Sequence, residues 1–116
     1  MRKIEQNMVK ALKGWQNWQS ANTRVEVNGL EGIRKVFLHN NQIACIKSLG
    51  DDRLQVEFAS CGWATHTTNS RLNAISDAFN LPVRVGTVKF AFAVYFHGHR
   101  LQDASDPFIF ECGVRG

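Results

Sequence analysis

A helical stripe set between alternating runs limits this chain's fold more than any other feature. Leu72, Ile75 and Phe79 recur at i, i+3 and i+7, which is one apolar stripe of an α-helix. Asn80 and Pro82 supply the stop: Asn accepts left-handed backbone, and the residue before a proline avoids the helical region. Thr67 or Thr68 is the expected N-cap, its hydroxyl accepting from a free N–H of the first turn. Neither has Glu or Gln three residues on, so the capping box is incomplete. On both sides the period is two. Leu54, Val56 and Phe58 alternate with Arg53, Gln55 and Glu57, and Val88, Phe90, Phe92, Val94 and Phe96 with Lys89, Ala91, Ala93 and Tyr95. A helix must bury its stripe, and a sheet with one dry face is the available surface.

The other segments fill in that scheme. Residues 2–13 read as a helix with Ile4, Met8, Ala11, Leu12 and Trp15 on one face, Lys3, Lys10 and Lys13 on or near the other, and Gly14 as its C′ residue. Residues 15–22 form a polar linker holding Trp15 and Trp18. Residues 23–27, 33–38, 42–47 and 53–58 read as strands, joined by turns at Asn28-Gly29, Asn40-Asn41 and 48–52. Residues 83–85 make a short strand that Gly86 breaks, 88–96 one longer strand, and 108–112 the last. Ala91 and Ala93 leave room for the N-terminal helix on that strand's second face. The expected fold is therefore α+β, one domain over 1–116, with an antiparallel sheet of about five to seven strands carrying an N-terminal helix and a central helix at about 68–79. Phe58, Leu72, Ile75, Phe79, Phe90 and Phe92 are the expected core.

Composition excludes several classes. With 116 residues, 44% of them hydrophobic, the chain can build one core without staples. Three cysteines, at 45, 61 and 112, are an odd count without CxxC spacing, which fits a reducing cytoplasm rather than a disulfide framework. No apolar segment follows the N-terminal basic residues, so no secretory signal is expected, and no apolar run nears the roughly 20 residues of a membrane span. A net charge of +4 permits an acidic partner without requiring one.

Catalytic and metal signatures are missing. His97-x-His99 pairs two imidazoles, but with His39, His66 and the cysteines it matches no zinc spacing. Cys61 lies five residues before His66 in no recognisable nucleophile motif, and Asp51, Asp52, Asp103 and Asp106 sit in turns and loops. Neither a phosphate-binding glycine loop nor a nucleophile elbow is present. The expectation is a non-enzymatic protein with no cofactor and no metal. One stretch is site-like: Thr65, His66, Thr67, Thr68, Ser70 and Arg71 gather at the start of the central helix, where free N–H groups and the dipole attract anions. The plainer reading is local capping, with Arg71 lying across the sheet. A third centres a protein-binding surface on Trp63.

Two segments, Val36-Phe-Leu-His-Asn-Asn-Gln-Ile-Ala44 and Gly62-Trp-Ala-Thr-His-Thr-Thr-Asn-Ser-Arg-Leu-Asn-Ala-Ile75, resemble a family of small tailed-phage and prophage proteins. Their pattern is a basic N-terminal helix, then V-x-L-H-x-N-x-I-A, then G-W-x-T-x-T-T-x-S-R-L-N-A. The resemblance covers residues 2–79 and implies an accessory protein in the cytoplasm of a bacterial host. It brings no catalytic residues. The expected function is stoichiometric binding of a host or phage protein complex, inhibiting host defence or nucleic-acid handling, through Trp18, Trp63, Thr65, His66, Thr67, Ser70 and Arg71. The alternative is direct nucleic-acid binding through Lys3, Lys10, Lys13 and Arg71. Glu5, Glu26, Glu31, Asp51, Asp52 and Glu57 interrupt the positive surface of the first half and favour the protein partner.

Overall fold

The alternating runs become strands, with one exception at 88–96, and each 3.6-period run becomes a helix. The computed structural model describes residues 2–62, 65–102 and 104–113. Among them are helices α1 (Lys3–Lys13) and α2 (His66–Phe79) and strands β1 (Trp18–Ser20), β2 (Thr23–Asn28), β3 (Ile33–Leu38), β4 (Asn41–Gly50), β5 (Arg53–Phe58), β6 (Val83–Val88), β7 (Ala91–Phe96), β8 (His99–Arg100) and β9 (Phe108–Gly113). The first five strands form an antiparallel meander, and β9 returns from the end of the chain to pair with β5, giving the order β1-β2-β3-β4-β5-β9. A second sheet has the order β6-β7-β8.

Register carries the core across the large sheet. One inward row runs Val25, Val36, Ala44, Phe58 and Phe108, and the next Val27, Arg34, Ile46, Val56 and Phe110. A bulge between Val36 and Phe37 makes the register skip Ile43, so that Ile43 and Ala44 are both buried, against the period-two rule. Over this face α1 contributes Met8, Ala11 and Leu12, and α2 contributes Leu72, Ala74 and Ile75. The small sheet adds Val83, Val85 and Val94 to the same cluster. The α+β class, the two helices and the central helix as the covering element all follow the sequence expectation.

Several local expectations are corrected. The strands divide between two sheets, and residues 88–96 are not one strand. Lys89 and Phe90 adopt φ of 50° and 66°, a tight two-residue turn whose twist suits a hairpin. The alternation passes through the turn unbroken, which hid it. Phe90 is therefore 98% exposed at the hairpin tip and not core, and Phe79 and Phe92 are only half-buried. Gly86 lies inside β6 without breaking it. The supposed linker at 15–22 contains β1, which pairs with β2. Helix α1 packs on β2 and α2, not on the β7 strand. Gly14 has φ −86°, and Trp15 takes the left-handed conformation, φ 52°, in its place. The tight turn between β3 and β4 is His39-Asn40, one residue earlier than expected.

Candidate functional site

A groove of about 460 Å³ opens where the β3–β4 hairpin meets the start of α2. Leu38 and Ile43 form an apolar floor, Ile43 being turned inward by the bulge. His39 and Asn41 supply one rim, and Thr65 and Thr67 the other. Two links hold the approach to the helix against this hairpin: the Ala59 N–H donates to the Ile43 carbonyl at 2.8 Å, and the Cys61 thiol to the Gln42 carbonyl at 3.0 Å. Asp106 accepts from both the backbone N–H and the hydroxyl of Ser60, tying in the loop before β9. Burial, together with the charges of Asp106 and Glu57, pushes the Cys61 thiol above its ordinary pKa, so the helix N-terminus does not make it a thiolate.

Thr65 is the N-cap of α2, not Thr67 or Thr68. Its Oγ1 accepts from the Thr68 N–H at 3.2 Å and lies 3.0 Å from the Thr68 hydroxyl. The helix thus begins at His66, two residues before the expected start at about 68, and the Thr65 side chain takes one of the free donors.

The expected anion-binding set is split by the helix. Arg71 turns into the protein, 3% exposed, and its Nη1 donates to Glu5 Oε2 at 2.7 Å while its Nε donates to Thr23 Oγ1 at 3.1 Å. Ser70 donates to the same Glu5 oxygen at 2.6 Å. Burial alone would raise the Glu5 pKa, but the bonds from Ser70 and Arg71 outweigh it and hold the carboxyl below its ordinary value. Arg71 and Ser70 are therefore ties between α1, α2 and β2, and the buried Arg71 is corrected as a surface contact. His66 is exposed and lines a wider groove on the other side of α2, about 720 Å³, with Glu5, Ser70, Asn73, Asp77 and Arg84. Of the expected partner contacts among the described residues, Thr65 and Thr67 face the first groove.

The tryptophans also divide. Trp18 is half-buried, packing on the core opposite Val25 from the edge strand β1. Trp15 covers the Arg34 guanidinium, whose carbon lies 4.1 Å from the ring centroid. Arg34 Nη1 in turn donates to the Leu12 carbonyl at 3.2 Å, closing the last turn of α1. Trp63 lies outside the described residues. Lys3, Lys10 and Lys13 are exposed, as expected for a solvated basic face. Sequence reasoning missed Glu5, although the signal was there: positions 5, 8 and 12 share one helical stripe with Met8 and Leu12. It also missed Leu38, His39, Asn41 and Ile43 as groove residues, because only the hairpin turn and its bulge bring them to α2.

The model of the Kyanoviridae Gp96 protein family matches residues 1–115. The chain belongs to the Kyanoviridae Gp96 family. It is thus a phage protein, and the match extends past the 2–79 segment of the sequence resemblance to the small sheet and β9. No curated protein and no solved structure matches the chain. In this Gp96-family fold the two segments that resemble phage proteins, 36–44 and 62–75, supply the described residues that line the groove, apart from Ser60. Among the described residues no cluster of His, Cys, Asp or Glu is arranged to hold a metal. No helix among them is long and apolar enough to cross a membrane.

Proposed function

We propose that this Gp96-family phage protein acts without chemistry of its own, by stoichiometric binding of a protein partner at the groove between the β3–β4 hairpin and α2. The partner we propose is a component of a host defence or nucleic-acid-handling complex, met in the host cytoplasm. One observation carries the reading. Two segments separated by the whole of β5 converge on an apolar floor with a polar rim, the arrangement in which interfaces seat an anchoring side chain. The inward turn of Arg71 and its pairing with Glu5 remove the cation that an anion site at this helix would need, which favours a protein partner over a phosphate.

The test is affinity capture from host lysate with tagged protein, with and without nuclease. Thr67→Arg puts a long charged side chain into the groove from a half-buried rim position, and its fold is checked by circular dichroism. The expected result is one partner captured in stoichiometric amount, retained after nuclease and lost in the variant. Undiminished capture by folded Thr67→Arg would show the groove to be uninvolved. Loss of the wild-type partner on nuclease treatment would show that nucleic acid bridges the two.

A further inference from the structure

The small sheet has a face that the groove does not use. Its inward side carries Val83, Val85 and Val94, with Phe96 meeting Phe110 edge-on at 5.9 Å. On the opposite side the register sets Arg84 beside Tyr95 and Tyr95 beside Arg100, one residue from each of three strands in a single row. Neighbouring strands lie about 4.8 Å apart, so the two guanidinium-bearing positions bracket the ring across about 10 Å of backbone. The next pair on this face is Gly86 with Ala93. A Cβ on Gly86 would stand 3.6 Å from Tyr95 Cε2, so the ring leans over the glycine and does not stand clear of the sheet. At the end of the same hairpin, Lys89 and Phe90 form the turn, with Phe90 98% exposed.

Charge is concentrated here too. Residues 81–102 contain Arg84, Lys89 and Arg100 and no Asp or Glu, so three of the chain's four net positive charges lie in this segment. Among the described residues the acid that reaches it is Asp77 of α2, whose Oδ1 accepts from Arg84 Nη1 at 2.5 Å. That pair is more than half exposed on both sides, 57% and 55%, and an exposed pair holds weakly enough to exchange for a phosphate.

We propose that this face binds single-stranded nucleic acid, with Tyr95 as a stacking platform, Phe90 as a second aromatic at the tip, and Arg84, Lys89 and Arg100 as phosphate contacts. A base stacked on Tyr95 has a cation on either side for its flanking phosphates, the arrangement that binds a strand without reading its sequence. A duplex withholds its base faces from such a ring and is the poorer ligand. The site is separate from the groove proposed for a protein partner, and its test uses purified protein and oligonucleotides alone.

Tyr95 is the chain's one tyrosine, so protein labelled with 3-fluorotyrosine gives a single fluorine resonance that reports this position. Fluorescent oligo(dT), oligo(rU) and a duplex are titrated at about 50 mM and about 200 mM salt, a range over which phosphate contacts show as a slope. The expected result is single-strand binding that shifts the fluorine resonance, exceeds duplex binding about tenfold, weakens about tenfold in Tyr95→Ala and survives in Tyr95→Phe. Arg84→Gln and Arg100→Gln should each lower the log–log salt slope by about 0.7. The groove variant Thr67→Arg should bind oligonucleotides as the wild type does. Absence of single-strand binding at the lower salt overturns the proposal. So does duplex binding as tight as single-strand binding with Tyr95→Ala unaffected, which would be unspecific attraction to a basic protein. Loss of a captured protein partner in Tyr95→Ala, without any oligonucleotide binding, would make this face a protein interface instead.

Discussion

Arg71 and Glu5 are each under one twentieth exposed at the side chain, and their ion pair closes at 2.7 Å. Taking two charges out of water is costly, and here the cost is offset by bonds from Ser70 and to Thr23 as well as by the pair itself. Removing one partner leaves the other buried and uncompensated. Arg71→Ala should therefore destabilise the protein by about 3–5 kcal/mol in urea denaturation, and a loss below about 1 kcal/mol, the range of ordinary surface changes, would mean the pair is not buried in solution. The pH dependence has a definite sign. The Glu5 carboxyl is held below its ordinary pKa in the folded protein. Its contribution is then fully present above the unfolded-state pKa and is lost as pH falls through the folded-state one. In Glu5→Gln this part of the acid loss of stability should disappear, which denaturation midpoints across the acid range will show.

At the scale of elements, α2 does two jobs with two faces. Leu72 and Ile75 cover the large sheet, while Asn69, Asn73 and Asp77, spaced four apart, run along the edge of β6. Asn73 Nδ2 donates to the Val85 carbonyl at 3.0 Å and its Oδ1 accepts from the Val85 N–H at 2.9 Å, so one side chain stands in for a neighbouring strand. Asn69 donates to Thr87 Oγ1 at 2.8 Å, and Asp77 accepts from Arg84. This ladder protects the edge of the small sheet, whose backbone groups otherwise face solvent. Asn73→Ala leaves both Val85 groups without this partner and should cost about 1–3 kcal/mol. Hydrogen exchange at the Val85 amide should accelerate, more than at the Val94 amide inside the same sheet. Unchanged protection at Val85 would mean that solvent replaces the amide without penalty.

The whole molecule is joined through α2, because Val83, Val85 and Val94 of the small sheet belong to the same buried cluster as Val36, Ile46 and Val56 of the large one. A shared core makes separate melting of the sheets unfavourable, and a chain of this size commonly unfolds in one step. Tryptophan fluorescence, to which Trp15 and Trp18 beside the large sheet contribute together with Trp63, and the fluorine signal of labelled Tyr95 in the small one should give coincident urea midpoints. Separated midpoints would make residues 81–102 an independent unit carried on the rest.

The sequence by itself determined the elements that rest on local periodicity and on residues with special backbone freedom. The stripe of α2, its left-handed stop at Asn80 with φ 54°, and the alternating strands at 23–27, 33–38 and 53–58 were legible because each needs only neighbours in the chain. The 88–96 run shows where this fails: alternation alone does not distinguish a strand from two strands joined by a tight turn, and Phe90 went from expected core to hairpin tip. Tertiary structure decided what polar side chains do, since a hydroxyl or guanidinium can serve a cap, a buried carboxylate or a partner equally well. It turned Ser70 and Arg71 inward because Glu5 arrives from α1, sixty-six positions away from Arg71. It left Thr65 and Thr67 facing the groove that the β3–β4 bulge opens. It also aligned Arg84, Tyr95 and Arg100, which no spacing in the chain announces, because the row exists only in the register of three strands.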